Sequence, residues 1–135
     1  MLCYLYPEPS FLIFVSDLPP LVYYLHIPTV VIALLIGFFV FLNQPKELLN
    51  RLLFLIALSF TGWVTVNLLT WTLIQGARVL FLWSFYGILQ SIFALLSIYF
   101  VYVFIKKRDL PFIQKGILSF LLLPVVFFAA SDLNL

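Results

Sequence analysis

Chemistry by metal or by nucleophile needs clustered donors, and in this sequence the donors are scattered. His26 is the only histidine and Cys3 the only cysteine. Neither a zinc cluster nor a cysteine–histidine couple can be built from one of each. No glycine-rich stretch has the spacing that cradles a phosphate. The five acids, Glu8, Asp17, Glu47, Asp109 and Asp132, fall in polar or terminal segments. None interrupts an apolar run, where a carboxylate would mark a proton or ion path. The expectation is a chain that is not an enzyme, with no catalytic residue, no cofactor and no metal. His26 then has two readings, a ring at a membrane interface or a sensor of pH or ligand. Cys3 reads as a small apolar residue near the interface, with lipid attachment as its alternative.

The more informative polar residues recur at three and four positions. Ser59, Gly62, Trp63, Asn67, Thr70 and Trp71 follow one helical face. Trp83, Gly87, Gln90, Ala94 and Ser97 do the same further on, with Ser84 and Ser91 beside them. Small residues let helix backbones approach, and amides prefer a partner to lipid. The pattern predicts a polar packing seam of Ser59, Trp63, Asn67, Trp71, Tyr86, Gln90 and Ser97. Counting from the intervening turn sets Asn67 level with Tyr86, and counting from the middles of the apolar runs sets it nearer Gln90. Asn67 is therefore expected to bond one of these two. The alternative is a ligand-lined cavity between the helices.

The elements that carry this seam follow from composition. Of the 135 residues 65% are hydrophobic and 9% charged, whereas soluble domains are nearer a quarter charged. Lipid must therefore be the solvent for much of the surface. Crossing a bilayer takes roughly 20 apolar residues, and four runs qualify, at about 21–42, 52–74, 79–105 and 112–130. The runs are continuous, unlike the short alternating segments of a barrel. The fold class is all-α, a polytopic transmembrane helical bundle of about four spans occupying 21–135. Residues 1–20, with Pro7, Pro9 and Pro19–Pro20, read as an interfacial or extracytoplasmic lead-in. Glu8 and Asp17 and the lack of a basic start argue against a signal peptide there.

Charge orients the spans. Lys46 and Arg51 follow the first run, Lys106, Lys107 and Arg108 follow the third, and Lys115 lies just inside the fourth. Arg78 alone sits in the second connector. Basic residues are retained on the cytoplasmic side. The expectation is a multi-pass protein of the cell membrane with both termini extracytoplasmic, and with Lys115 snorkelling back to the inner interface.

The stretch from Leu49 to Trp63, then Thr70–Trp71, Leu82–Trp83 and Tyr99–Phe100, resembles the N-terminal seven-helix membrane region of bacterial sensor histidine kinases. In that family a basic connector closes the first helix, an Asn opens the second, and a Phe and then a Trp follow. Asn50, Phe54 and Trp63 match those positions, and Lys106–Arg108 matches the basic cluster after the third helix. The similarity spans roughly 21–135 and lies in helix spacing and aromatics. It implies a sensory or signalling module that corresponds to the front portion of such a region and lacks the kinase. Its expected partners are the lipid bilayer, further transmembrane helices or a kinase output domain, and a second copy of the chain, with no nucleic acid. The competing readings are a small permease or transporter subunit and a structural membrane protein fragment.

Overall fold

The computed structural model describes residues 18–72 and 76–129. They form four helices, α1 (Pro20–Asn43), α2 (Leu48–Thr72), α3 (Gly76–Lys106) and α4 (Phe112–Ala129). Each is long and apolar enough to cross a membrane, so the chain has the expected all-α, four-span architecture. Residues 1–17 lie outside the described residues, and with them most of the expected lead-in. Pro20 opens α1, where a missing N–H costs nothing. The helix continues through Pro28, and α4 likewise continues through Pro124.

The boundaries shift in two places. α2 begins at Leu48 rather than near 52, so Asn50 and Arg51 are helical and the connector shrinks to residues 44–47. That connector is a tight turn, closed by the Glu47 N–H donating to the Gln44 carbonyl at 3.2 Å. α3 begins at Gly76 rather than 79 and runs for 31 residues. At 1.5 Å per residue that is about 46 Å against a hydrocarbon thickness of about 30 Å. The helix must tilt or emerge into the interface. It ends at Lys106, and Lys107, at φ 51°, takes the left-handed conformation that commonly closes a helix.

Extensive packing joins α1 to α2 and α2 to α3, and a sparser contact joins α3 to α4. The α1–α2 pair has a single antiparallel register. Phe41 stacks on Phe54 with centroids 4.8 Å apart, Gly37 meets Ala57, and His26 meets Asn67. Gly37 is the one buried residue of α1. Between α2 and α3 the contact is an aromatic ladder, with Trp63 on Tyr86 at 5.3 Å and Phe60 on Phe93 at 5.9 Å. Leu89 seats its methyls against Gly62 beside these rings. α4 lies more loosely on α3, and no atom stands within 4 Å of where a Gly116 side chain would begin.

The burial pattern is that of a lipid-solvated protein. Among the described residues six hydrophobics are buried while 29 large ones are exposed. In water that ratio would be inverted for a stable fold. Phe112, Ile113 and Phe127 of α4 are 90%, 76% and 73% exposed, so lipid or a partner helix must cover that face.

Candidate functional site

The residues singled out from the sequence divide between the two ends of the helices. At the end away from connectors 44–47 and 107–111, His26 on the second turn of α1 faces the C-terminal half of α2. The Asn67 amide nitrogen lies 3.2 Å from His26 Nε2, and Nδ1 of the ring lies 2.7 Å from the Val22 carbonyl oxygen. The second contact spans one helical turn and aims the imidazole across to α2.

This corrects the expected partner of Asn67, which is His26 on α1 and not Tyr86 or Gln90 on α3. Of the two depth estimates only the count from the turn comes close, since Tyr86 packs on Trp63 one turn from Asn67 and Gln90 lies a further turn away. The direction was not. α2 lies between two helices, and each step of four residues rotates the side chain by about 40°. Ser59, Trp63, Asn67 and Trp71 therefore spiral around α2 instead of forming one seam. Trp63 faces α3, Asn67 faces α1, and Trp71 is 61% exposed.

The same geometry removes Gln90 from the interface. Gln90, Trp83 and Ala94 share the exposed side of α3, and Tyr86, Leu89 and Phe93 turn toward α2. Ser59 is buried, but its hydroxyl donates within α2 to the Leu55 carbonyl at 2.9 Å. Ser97 likewise donates to the Phe93 carbonyl at 2.8 Å. Such back-bonding satisfies a hydroxyl without joining two helices. Shape and aromatic contact hold the α2–α3 hairpin, with Leu89 in the Gly62 notch at its centre. The buried indole N–H of Trp63 and the Thr61 hydroxyl have no hydrogen-bond partner among the described residues.

At the other end the two connectors come together. Glu47, Leu48 and Leu49 share a hollow with Val103, Lys107 and Arg108. Lys46, Arg51, Lys106, Lys107 and Arg108 are all exposed there. Lys115, from the first turn of α4, donates to Asp109 Oδ2 at 2.6 Å, and its ammonium stands 5.8 Å from the centre of the Tyr99 ring. The Tyr99 hydroxyl donates to Asp109 Oδ1, and so does the Leu110 N–H at 2.7 Å. The Lys115 hydrogen bond first, and the Tyr99 one second, hold the Asp109 carboxyl below its ordinary value. This bridge pins α4 to α3 at the membrane boundary. Side chains on helices point back toward the N-terminus, which is why Lys115 reaches the connector.

The sequence reading missed Gly37, Leu89, Tyr99 and Asp109. A Gly in an apolar run signals close approach, but Gly37, Gly62, Gly87 and Gly116 look alike in sequence, and only the first two meet a neighbour. The residues that carry the family resemblance occupy helix junctions. Asn50 donates to the Gln44 carbonyl at 3.3 Å, Phe54 packs on Phe38 and Phe41, and Trp63 packs on Tyr86. Among the described residues no group of three or more His, Cys, Asp or Glu is placed to hold a metal. No protein family matches the chain, and neither a curated protein nor a solved structure matches it.

Proposed function

We propose that the chain is a membrane-embedded sensory module of the cell membrane that passes a signal to a separate output protein and performs no chemistry itself. The observation that carries this reading is the His26–Asn67 pair. It joins an imidazole on one helix to an uncharged amide on the next, near the end opposite the basic connectors. A ligand that takes up either hydrogen-bonding position there competes with the contact, and so acts directly on how α1 meets α2. The serial packing of the helices supports the same reading. α1 packs mainly on α2 and α4 mainly, and loosely, on α3, which leaves both flanks open to partner helices. The spacing of Asn50, Phe54 and Trp63 resembles that of the membrane region of a sensor histidine kinase, which makes a histidine kinase the expected output. The basic connectors face the cytoplasm in this arrangement, and both termini face outward.

The test is purification of the tagged chain from its native membrane in a mild detergent, followed by a phosphotransfer assay. An autophosphorylating histidine kinase should co-purify, and its activity should change when His26→Ala or Asn67→Leu replaces the native residue. Kinase output that is identical in cells with and without the chain would remove the proposal. Solute uptake by the reconstituted chain alone would replace it with the transport reading.

A further inference from the structure

α3 and α4 do not close against one another. Leu95, Leu96 and Tyr99 face Leu118 and Leu122 across an open groove of about 280 Å³. From Tyr99 down to Ile92 is about 10 Å of helix, and from Lys115 to Leu122 is the same in the opposite direction. The groove is apolar along this length except for the Ser119 hydroxyl, and Tyr99 and Lys115 stand at its mouth. The Asp109 bridge holds the helices together at the mouth.

The mouth opens onto the strongest charge in the described structure. Six basic residues, Lys46, Arg51, Lys106, Lys107, Arg108 and Lys115, gather at this end against two acids, Glu47 and Asp109. Lys115 is matched by Asp109. Among the described residues no ion pair engages Lys106, Lys107 or Arg108. Lys106 follows Tyr99 by seven residues, two helical turns further along the same face of α3. It therefore continues the line of the groove out to the headgroup level, and Lys107 and Arg108 follow it in the connector, where they line the hollow beside Glu47, Leu48 and Leu49.

We infer that the α3–α4 groove and its basic rim form a binding site for an anionic phospholipid. One acyl chain lies along Leu95, Leu96, Leu118 and Leu122, and the headgroup phosphate sits at the Lys106–Arg108 rim. Charge complementarity selects this occupant. A neutral lipid satisfies the groove but leaves the three cations unpaired, whereas an anionic headgroup satisfies both parts. A second copy is the poorer match. Copies inserted in the same orientation bring their basic rims to the same depth, so like charges face each other.

The experiment uses the full chain in phosphatidylcholine nanodiscs doped with a photoactivatable acyl-chain probe, either phosphatidylglycerol or phosphatidylcholine. The phosphatidylglycerol probe should label the peptides around residues 92–99 and 115–122, and the phosphatidylcholine probe should label them far less. At a factor of roughly five for each basic residue near the surface, neutralisation by K106Q, K107Q and R108Q together should cut phosphatidylglycerol labelling by up to about a hundredfold. Phosphatidylcholine labelling should stay unchanged. A second variant, Leu118→Trp with Leu122→Trp, fills the groove while keeping the rim, and should lower labelling at both peptides. Circular dichroism and monodispersity confirm that each variant is folded. Equal labelling by the two probes, or undiminished phosphatidylglycerol labelling in the folded rim variant, overturns the site. Chain-to-chain cross-links through Leu118 or Leu122 also overturn it, because a second copy then occupies the groove.

Discussion

His26 and Asn67, 41 residues apart in sequence, are joined directly across the α1–α2 interface. The Val22 carbonyl can only accept, so Nδ1 of His26 carries the proton that faces it. Nε2 is then the acceptor, and the Asn67 amide donates to it. A double-mutant cycle of His26→Phe with Asn67→Leu should give a coupling of about 0.6 kcal/mol, and at most about 1.7, as for other hydrogen bonds between membrane helices. The parallel cycle of Asn67→Leu with Gln90→Leu should give none. Unfolding in micelles supplies both values, and coupling to Gln90 instead of His26 would mean that Asn67 faces the wrong helix in this structure.

Gly37 governs how closely α1 approaches α2. A methyl group there would begin 2.7 Å from the Ala57 Cβ, well inside contact distance, and 3.5 Å from Phe54 Cδ2. Neither neighbour is the free end of a flexible chain, so the helices must separate. Gly37→Ala should destabilise the protein by about 1–3 kcal/mol, the usual cost of overpacking. Ala57→Gly in the same chain should recover part of that. Gly87→Ala and Gly116→Ala meet no atom within 4 Å and should be neutral or slightly stabilising. If all three alanine variants unfold alike in a thermal scan, the close approach is not where we place it.

The fold was far more legible than the site. Four apolar runs with polar breaks specify four spans, because backbone groups in lipid leave few alternatives to a helix. Depth was also readable. Counting from the turn brought Tyr86 within a helical turn of its true level. Rotation was not, because a helix with two neighbours has two buried faces, and polar spacing alone does not say which neighbour a residue meets. Asn67 and Trp63 show this, being four residues apart and turned to different helices. Mean apolarity is high all round each helix, so no amphipathic contrast marks the inner face. The Tyr99–Asp109–Lys115 bridge was hidden for another reason. It depends on how the connector folds after Lys107, which the spacing of the three residues does not reveal.

The bridge predicts a pH response at the α3–α4 connector. Hydrogen bonds from Lys115 and then Tyr99 hold the Asp109 carboxyl below its ordinary value of 3.8. A depressed carboxyl stabilises the folded connector fully above that value. The contribution declines as pH falls from 3.8 to the lower folded value, and is lost below it. The Leu110 N–H bonds the same carboxylate, so its NMR shift reports the titration. The midpoint should fall below 3.8 in the native chain and move up toward 3.8 in Lys115→Gln. A midpoint unaffected by removing the lysine would show that the Asp109–Lys115 contact does not persist in solution.

Orientation gives the last prediction. The described structure gathers Lys46, Arg51, Lys106, Lys107, Arg108 and Lys115 at one end of the helices, while Arg78 lies in the first turn of α3 at the other. Positive charge in short connectors is retained on the cytoplasmic side, so residues 46–51 and 106–109 should lie inside and residue 78 outside. With Cys3 replaced by Ser, a single cysteine at position 78 should react with an impermeant maleimide from outside, and one at position 107 should not. Lys106, Lys107 and Arg108 supply half of the six charges. Changing all three to Gln should therefore produce a mixed population in which position 78 becomes partly protected. Lys46 and Arg51 still follow the inner end of α1, and the first helix usually dominates insertion, so partial scrambling is expected rather than full inversion. Labelling of position 107 from outside in the unmodified background would reverse the orientation of every span. It would also place the His26–Asn67 pair in the cytoplasmic half of the membrane, where an external stimulus has no direct access to it.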